Sequence, residues 1–148
     1  EYASVLAKLR EEQLKFSGEL SYADLQAMTY MRNFFYECLR IFPPVQQFAK
    51  TVVKSFEFDG YTIPKGATFL YQIAATQRNS VEDPDKLIPE RFEDKESPLY
   101  APFGFTPFAS NEFLCPGKGF VLLEAGLLVR RIIMEFDLAH ACPEPAIK

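Results

Sequence analysis

The spacing of apolar positions changes along the chain, and each change marks an element. From Tyr2 to Phe16, Val5, Leu6, Leu9 and Phe16 fall on one face with Lys and Glu opposite, the period of an amphipathic helix. Ser17-Gly18 stops it. Ser21 with Asp24 three residues on is an N-cap signal. Two short helical patterns then run to Ile41, the second being "MTYMRNFFYECLR", and Pro43-Pro44 ends it because proline cannot continue a helix.

Beyond the prolines the period shortens. "FAKTVV", "SFEF" and "ATFLYQI" are β-like runs, with Asp59-Gly60 as one turn and "IPKG" as another. From Gln77 to Pro107 the chain is turn-rich, with prolines at 84, 89, 98, 102 and 107. A stretch this long without regular structure usually holds something. After Cys115 a helical pattern runs from Pro116 to about Leu138, proline being favoured in a first turn where its missing N–H costs nothing. The tail "ACPEPAIK" is expected to be loose. The predicted class is α+β, mainly helical, with a small sheet and one domain's worth of sequence in 148 residues.

Composition narrows the function. A net charge of −4 and no basic run argue against a nucleic-acid partner, since nothing displaces counterions from phosphates. Cys38, Cys115 and Cys142 are an odd count at unrelated spacings, and His140 is the single histidine, so neither a disulfide framework nor a zinc site is read. A reducing compartment is the simplest setting. No apolar run reaches the length of a membrane span and the first residues are no signal peptide. They read as the interior of a longer chain, so an upstream anchor and any membrane contact stay open. Fifteen Phe and seven Tyr suit a core around a flat aromatic ligand and suit a plain aromatic core equally.

Three constellations carry candidate chemistry. Glu37 and Arg40, at i and i+3 on one helix face, can pair. On a surface that pair is worth little, but Phe34, Phe35, Leu39 and Ile41 around it mark a buried helix, where an ion pair needs further partners. Arg91 in "IPERFED" supplies one if it folds back, pinning the turn-rich stretch to the helix through guanidinium–carboxylate geometry. Cys115 stands before a helix N-terminus, where dipole and free amides favour a thiolate. Pro116 has no N–H, so the amides of Gly117 and Lys118 are the expected donors to the sulfur, and Gly117 and Gly119 clear side-chain bulk. Filler, nucleophile and iron ligand are all open readings of that thiol.

Together these segments resemble the C-terminal part of the cytochrome P-450 haem-thiolate family, from its K helix to its L helix. Glu37-x-x-Arg40 followed by Pro43-Pro44 matches the K helix, "YTIPKG" (Tyr61 to Gly66) a strand turn, "PERF" (Pro89 to Phe92) the meander arginine, and Cys115-x-Gly117 the axial-ligand loop. Order and spacing agree from about residue 21 to 137. The resemblance implies haem as cofactor, Cys115 as thiolate ligand to its iron, and Phe108, Asn111, Gly117 and Lys118 around it. It implies that Glu37, Arg40 and Arg91 form a structural triad holding the Cys loop, and that residues 1–148 are one partial domain, fragment or truncation. No catalytic residue is assigned. An apolar small-molecule substrate is implied, with the haem face covered by a further N-terminal half or a partner chain.

Two departures sharpen the expectation. Asn111 stands where the family's loop has Gly, and asparagine tolerates the left-handed backbone expected there. Phe113 replaces a basic residue and cannot donate to a haem propionate. "PFG" at Pro102 to Gly104 looks like the loop start displaced upstream, and the extended loop with "LRIFPPVQQFAK" is similar to the allene oxide synthase and hydroperoxide lyase branch. That branch rearranges fatty-acid hydroperoxides without a reductase. Only Lys118, Arg130 and Arg131 are basic near the Cys helix, which leans the same way. A reductase-dependent monooxygenase segment and a truncated, non-catalytic binding module are the alternatives.

Overall fold

The computed structural model describes residues 2–139; His140 and Cys142 lie outside the described residues. Helix α1 spans Tyr2–Gln13, α2 Tyr22–Ala27 and α3 Thr29–Ile41; strands β1 (Gln47–Thr51), β2 (Phe56–Phe58), β3 (Tyr61–Ile63) and β4 (Thr68–Gln72) follow. Helix α4 covers Ile73–Asn79, three 3-10 turns punctuate the long loop, and α5 runs Lys118–Glu135. The class is the expected one, mainly helical with little sheet. In place of one sheet there are two antiparallel pairs, β1 with β4 and β2 with β3.

Local chemistry explains the elements the sequence announced. Ser21 and Asp24 form a full capping box: the Asp24 amide donates to Ser21 Oγ at 3.2 Å, and the Ser21 amide to Asp24 Oδ2 at 2.8 Å. The Ser21 hydroxyl also donates to Asp24 Oδ2, at 2.7 Å, and this bond with that of the Ser21 amide holds the Asp24 carboxyl below its usual range. Asp59 and Gly60 take φ of 48° and 79°, the left-handed pair that a tight hairpin between β2 and β3 requires. Gly66 closes the second turn, its amide donating to Val52 O at 2.8 Å.

Other boundaries differ from the pattern. Helix α1 stops at Gln13 rather than Phe16, and α5 spans Lys118 to Glu135 rather than Pro116 to Leu138. Both ends are set by an arginine from the other helix. Arg130 of α5 donates to Gln13 O (3.2 Å) and Phe16 O (3.0 Å), while Arg10 of α1 donates to Ile133 O (2.8 Å) and Phe136 O (2.9 Å). Gln13 and Ile133 lie in the last turns of their helices, and Phe16 and Phe136 just beyond them, where carbonyls lack a full set of helical partners. At the other end of α5, the turn at Pro116 and Gly117 precedes the helix.

Helix α4 replaces the end of a predicted strand and the start of the turn-rich stretch. Its Ile73 and Gln77, one turn apart, are buried. Gln77 Nε2 donates to the carbonyls of Leu39 (3.2 Å) and Arg40 (3.4 Å), and Arg78 Nη2 to that of Ile41 (3.2 Å), so α4 exists to close the C-terminus of α3.

The core lies where α1, α3 and α5 meet, with Val5, Leu9, Met28, Met31 and Ile133 buried and Phe34, Phe35, Leu87 and Val129 packed around them. Helix α3 has no N-cap side chain of its own. Glu12 of α1 does that work: its buried carboxylate accepts from the amides of Tyr30 (2.7 Å) and Met31 (2.8 Å). Glu12→Ala therefore leaves a buried and a half-buried amide unpaired and is expected to cost about 1–3 kcal/mol in urea unfolding. An unchanged midpoint would remove Glu12 from this role.

Candidate functional site

The buried face of α3 carries a charge cluster. Glu37 and Arg40 are fully buried. Arg40 grips the carboxylate with two bonds, Nε to Oε2 at 2.7 Å and Nη2 to Oε1 at 2.9 Å. The same Oε1 accepts from the Ile88 amide at 3.1 Å and from Arg91 Nε at 3.2 Å. Each arginine then holds the turn-rich loop by its backbone: Arg40 Nη2 donates to Lys86 O at 3.2 Å, Arg91 Nη2 to Asp83 O at 2.9 Å. The structure thus brings Glu37, Arg40 and Arg91 together. Arg40 Nη1 is buried with no partner.

Beside the cluster, the 3-10 turn Pro89–Phe92 is tied down by a second carboxylate. Glu90 Oε1 accepts from Lys8 Nζ (2.6 Å) and from the Tyr30 hydroxyl (3.0 Å). Partial burial alone would raise the Glu90 carboxyl; these bonds and the Lys8 charge hold it below its ordinary value. Burial and the Glu90 bond push the Tyr30 hydroxyl up.

Aromatic rings carry the constraint onward. Tyr36 of α3, Phe92 after Arg91, and Phe105 stack in a trio, with Tyr36–Phe92 and Tyr36–Phe105 centroids both 5.4 Å apart and Phe92–Phe105 4.8 Å. Phe105 begins the segment that leads to Cys115. The adjoining Gly104 is there for space: a Cβ on it would overlap the Pro98 carbonyl oxygen. Two further side chains fasten this segment. Gln77 Oε1 accepts from the Thr106 amide at 3.3 Å, and the Tyr71 hydroxyl donates to Phe103 O at 2.8 Å.

The Cys loop itself runs from Phe108 to Gly117. The Cys115 amide donates to Phe108 O at 2.9 Å, closing the loop at its neck. Lys118 Nζ lies 5.8 Å from the Phe108 ring centre. The left-handed residue of the loop is Ala109, with φ 58°, rather than Asn111, which opens the 3-10 turn Asn111–Phe113. The Lys118 amide, expected to face the sulfur, donates to Cys115 O at 3.2 Å, because the Pro116-Gly117 turn closes one residue earlier. Phe113 is exposed, with Lys50 of β1 over its ring.

Cys115 is half-buried with a free thiol. A Cβ at Gly117 would lie 3.7 Å from its sulfur, and one at Gly119 would meet nothing within 4 Å. The bare backbone of Gly117, the residue before α5, therefore lies beside the sulfur, while Gly119 in the first turn of α5 faces open space. Cys38 differs: burial pushes its thiol up to about 11, with the Glu37 charge adding to the effect, so it stays protonated as core filler. Among the described residues no group of three or more His, Cys, Asp or Glu gathers to hold a metal ion.

Sequence reasoning missed Gln77, Tyr71, Lys50 and the Lys8–Tyr30–Glu90 group. Gln77 had one signal, a glutamine four residues after Ile73 in an otherwise apolar-facing stretch. The others act across tens of residues and leave no local pattern.

Comparison with known proteins agrees with this geometry. The family model described as cytochrome P-450 matches residues 1–147. A beta-amyrin 28-monooxygenase from Kalopanax septemlobus is 33% identical over 136 residues, covering 90% of this chain and 28% of that protein. A taxoid 2-alpha-hydroxylase from Taxus canadensis is 34% identical over 138 residues, covering 88% of this chain and 28% of that one. Among solved structures, retinoic acid bound cyanobacterial CYP120A1 superposes with a TM-score of 0.81 at 32% identity, over 90% of this chain and 31% of the other. The chain spans under a third of the length of these proteins.

Three substitutions test the site's construction. Glu37→Ala strands two guanidinium groups, one of them fully buried, and is expected to cost about 3–5 kcal/mol, while Lys8→Met breaks an exposed pair and costs under about 1 kcal/mol. Equal losses in urea unfolding would contradict the assigned burial. Ala109→Gly relieves the left-handed strain and is expected to stabilise by about 1 kcal/mol; a loss of stability would contradict that backbone.

Proposed function

The chain belongs to the cytochrome P-450 family, whose cofactor is haem, and from that membership we propose that it is the haem-holding segment of an oxygenase for an apolar, lipid-like small molecule, with Cys115 as the iron's thiolate ligand. The observation that carries this reading is the free Cys115 sulfur beside the bare backbone of Gly117. Bound haem supplies oxidising chemistry that a thiolate ligand favours by pushing electron density onto the iron.

The protein's own part is positional. Phe108, Asn111, Gly117 and Lys118 make the loop that surrounds the ligand, and the Cys115–Phe108 backbone bond sets where the sulfur stands. Glu37, Arg40 and Arg91 hold the scaffold behind that loop and touch no reacting atom. Residues 1–148 act as one partial domain, and the substrate-facing wall comes from sequence beyond them or from a partner chain. The relatives' names, a monooxygenase and a hydroxylase, support oxygen insertion, and the retinoic acid in the structural neighbour's title supports an apolar substrate.

A second reading, hydroperoxide rearrangement without a reductase, has its own support. Among the described residues of α5, Arg130 is consumed in capping α1 and Arg131 pairs with Glu135, which leaves Lys118 as that helix's unpaired cation for an acidic electron donor. A third, a non-catalytic binding module, draws on Phe113 and on the apolar side chains that α5 exposes, Phe120, Leu127 and Leu128.

The test is the absorption spectrum of the chain after haem addition, reduced with dithionite under carbon monoxide. The expected outcome is a Soret band strongly shifted to the red, absent in Cys115→Ala. Haem uptake indifferent to that substitution, or no uptake, would end the ligand assignment and leave the binding-module reading. Given uptake, product formation with a hydroperoxide and no electron donor would decide for rearrangement.

A further inference from the structure

Strand β1 alternates exposed and half-buried residues, and its two inward positions are Phe48 and Lys50. A lysine on the inward face of a short strand breaks the usual apolar alternation and calls for a partner. Among the described residues it has no carboxylate partner. Its Nζ stands 2.8 Å from the ring centre of Phe113 and 5.6 Å from that of Phe48. The ammonium thus lies against two aromatic rings, one on its own strand and one two residues before Cys115.

The same sheet holds the other arm of the loop. Tyr71 lies opposite Phe48 in the β1–β4 register, their rings 5.2 Å apart, and its hydroxyl bonds Phe103 O and Thr106 Oγ1. One face of the sheet therefore reaches both sides of the Cys loop, by Tyr71 before the neck and by Lys50 at the tip. Between them the loop has three backbone bonds, from the amides of Ala109, Phe113 and Cys115 to Thr106, Ser110 and Phe108.

We propose that Lys50 and Phe113 are positioning residues: a cation–π clasp by which strand β1 holds the Cys loop closed and fixes the place of Cys115. Phe113 is then no mere loss of a basic group. Its ring gives the loop tip a partner for a cation that comes from the sheet. The clasp is a property of the polypeptide and holds without haem, so its test and the spectrum above fail or succeed separately.

Hydrogen exchange of the haem-free chain, followed by mass spectrometry, reads it directly. Phe113→Leu and Lys50→Met are each expected to speed exchange of the Ala109, Phe113 and Cys115 amides about threefold, with α3 amides unchanged. Phe113→Tyr and Lys50→Arg, which keep ring and charge, stay at the parent rate, and the Lys50→Met/Phe113→Leu pair exchanges no faster than either alone. The proposal is overturned if Phe113→Leu leaves the loop as slow as in the parent. It is overturned equally if Phe113→Tyr opens the loop as far as Phe113→Leu, or if α3 loses protection alongside it.

Discussion

Everything around Cys115 traces back to one buried carboxylate. An ionised Glu37 removed from water is tolerable only with a full set of donors, and the chain supplies them from two directions: Arg40 from its own helix, Ile88 and Arg91 from the loop. That requirement gives a segment of little regular structure a defined path. Lys86 and Asp83 are drawn in by their carbonyls, and Phe92, next to Arg91, arrives beside Tyr36 and Phe105. The chain of constraint runs from a charge on α3, through packed rings, to the loop that carries the sulfur.

The helices use a related device at their ends. Glu12 closes the N-terminus of α3, Gln77 and Arg78 its C-terminus, and Arg10 and Arg130 close α5 and α1 reciprocally. Each cap belongs to a different helix from the one it closes. Capping and packing are then one event, since a helix is complete only when its neighbour is docked. A scaffold built this way resists small displacements, which suits the ligand role proposed for Cys115.

The Cys loop itself is held from the sheet side, by Tyr71 and Lys50, and closed at its neck by Cys115 and Phe108. Among the described residues no helix is long and apolar enough to cross a membrane. Helix α5 leaves Phe120, Leu127 and Leu128 exposed, and the matched members of the family are more than three times as long as this chain.

The sequence by itself determined what depends on neighbours a few residues away. The capping box at Ser21, the hairpin at Asp59-Gly60, the break at Pro43-Pro44 and the pairing of Glu37 with Arg40 are all local chemistry, and the motif order was enough to point to the family. Tertiary structure decided what depends on distant partners. Helix α4 forms because Gln77 finds the carbonyls of α3; α1 and α5 end where an arginine from the other waits; the left-handed loop residue is Ala109 because the neck bond, not side-chain preference, sets the bend. Lys50 shows the difference most plainly. In the sequence it is one lysine in a weak strand, and its place over Phe113, more than sixty residues on, exists only once the sheet and the loop are folded together.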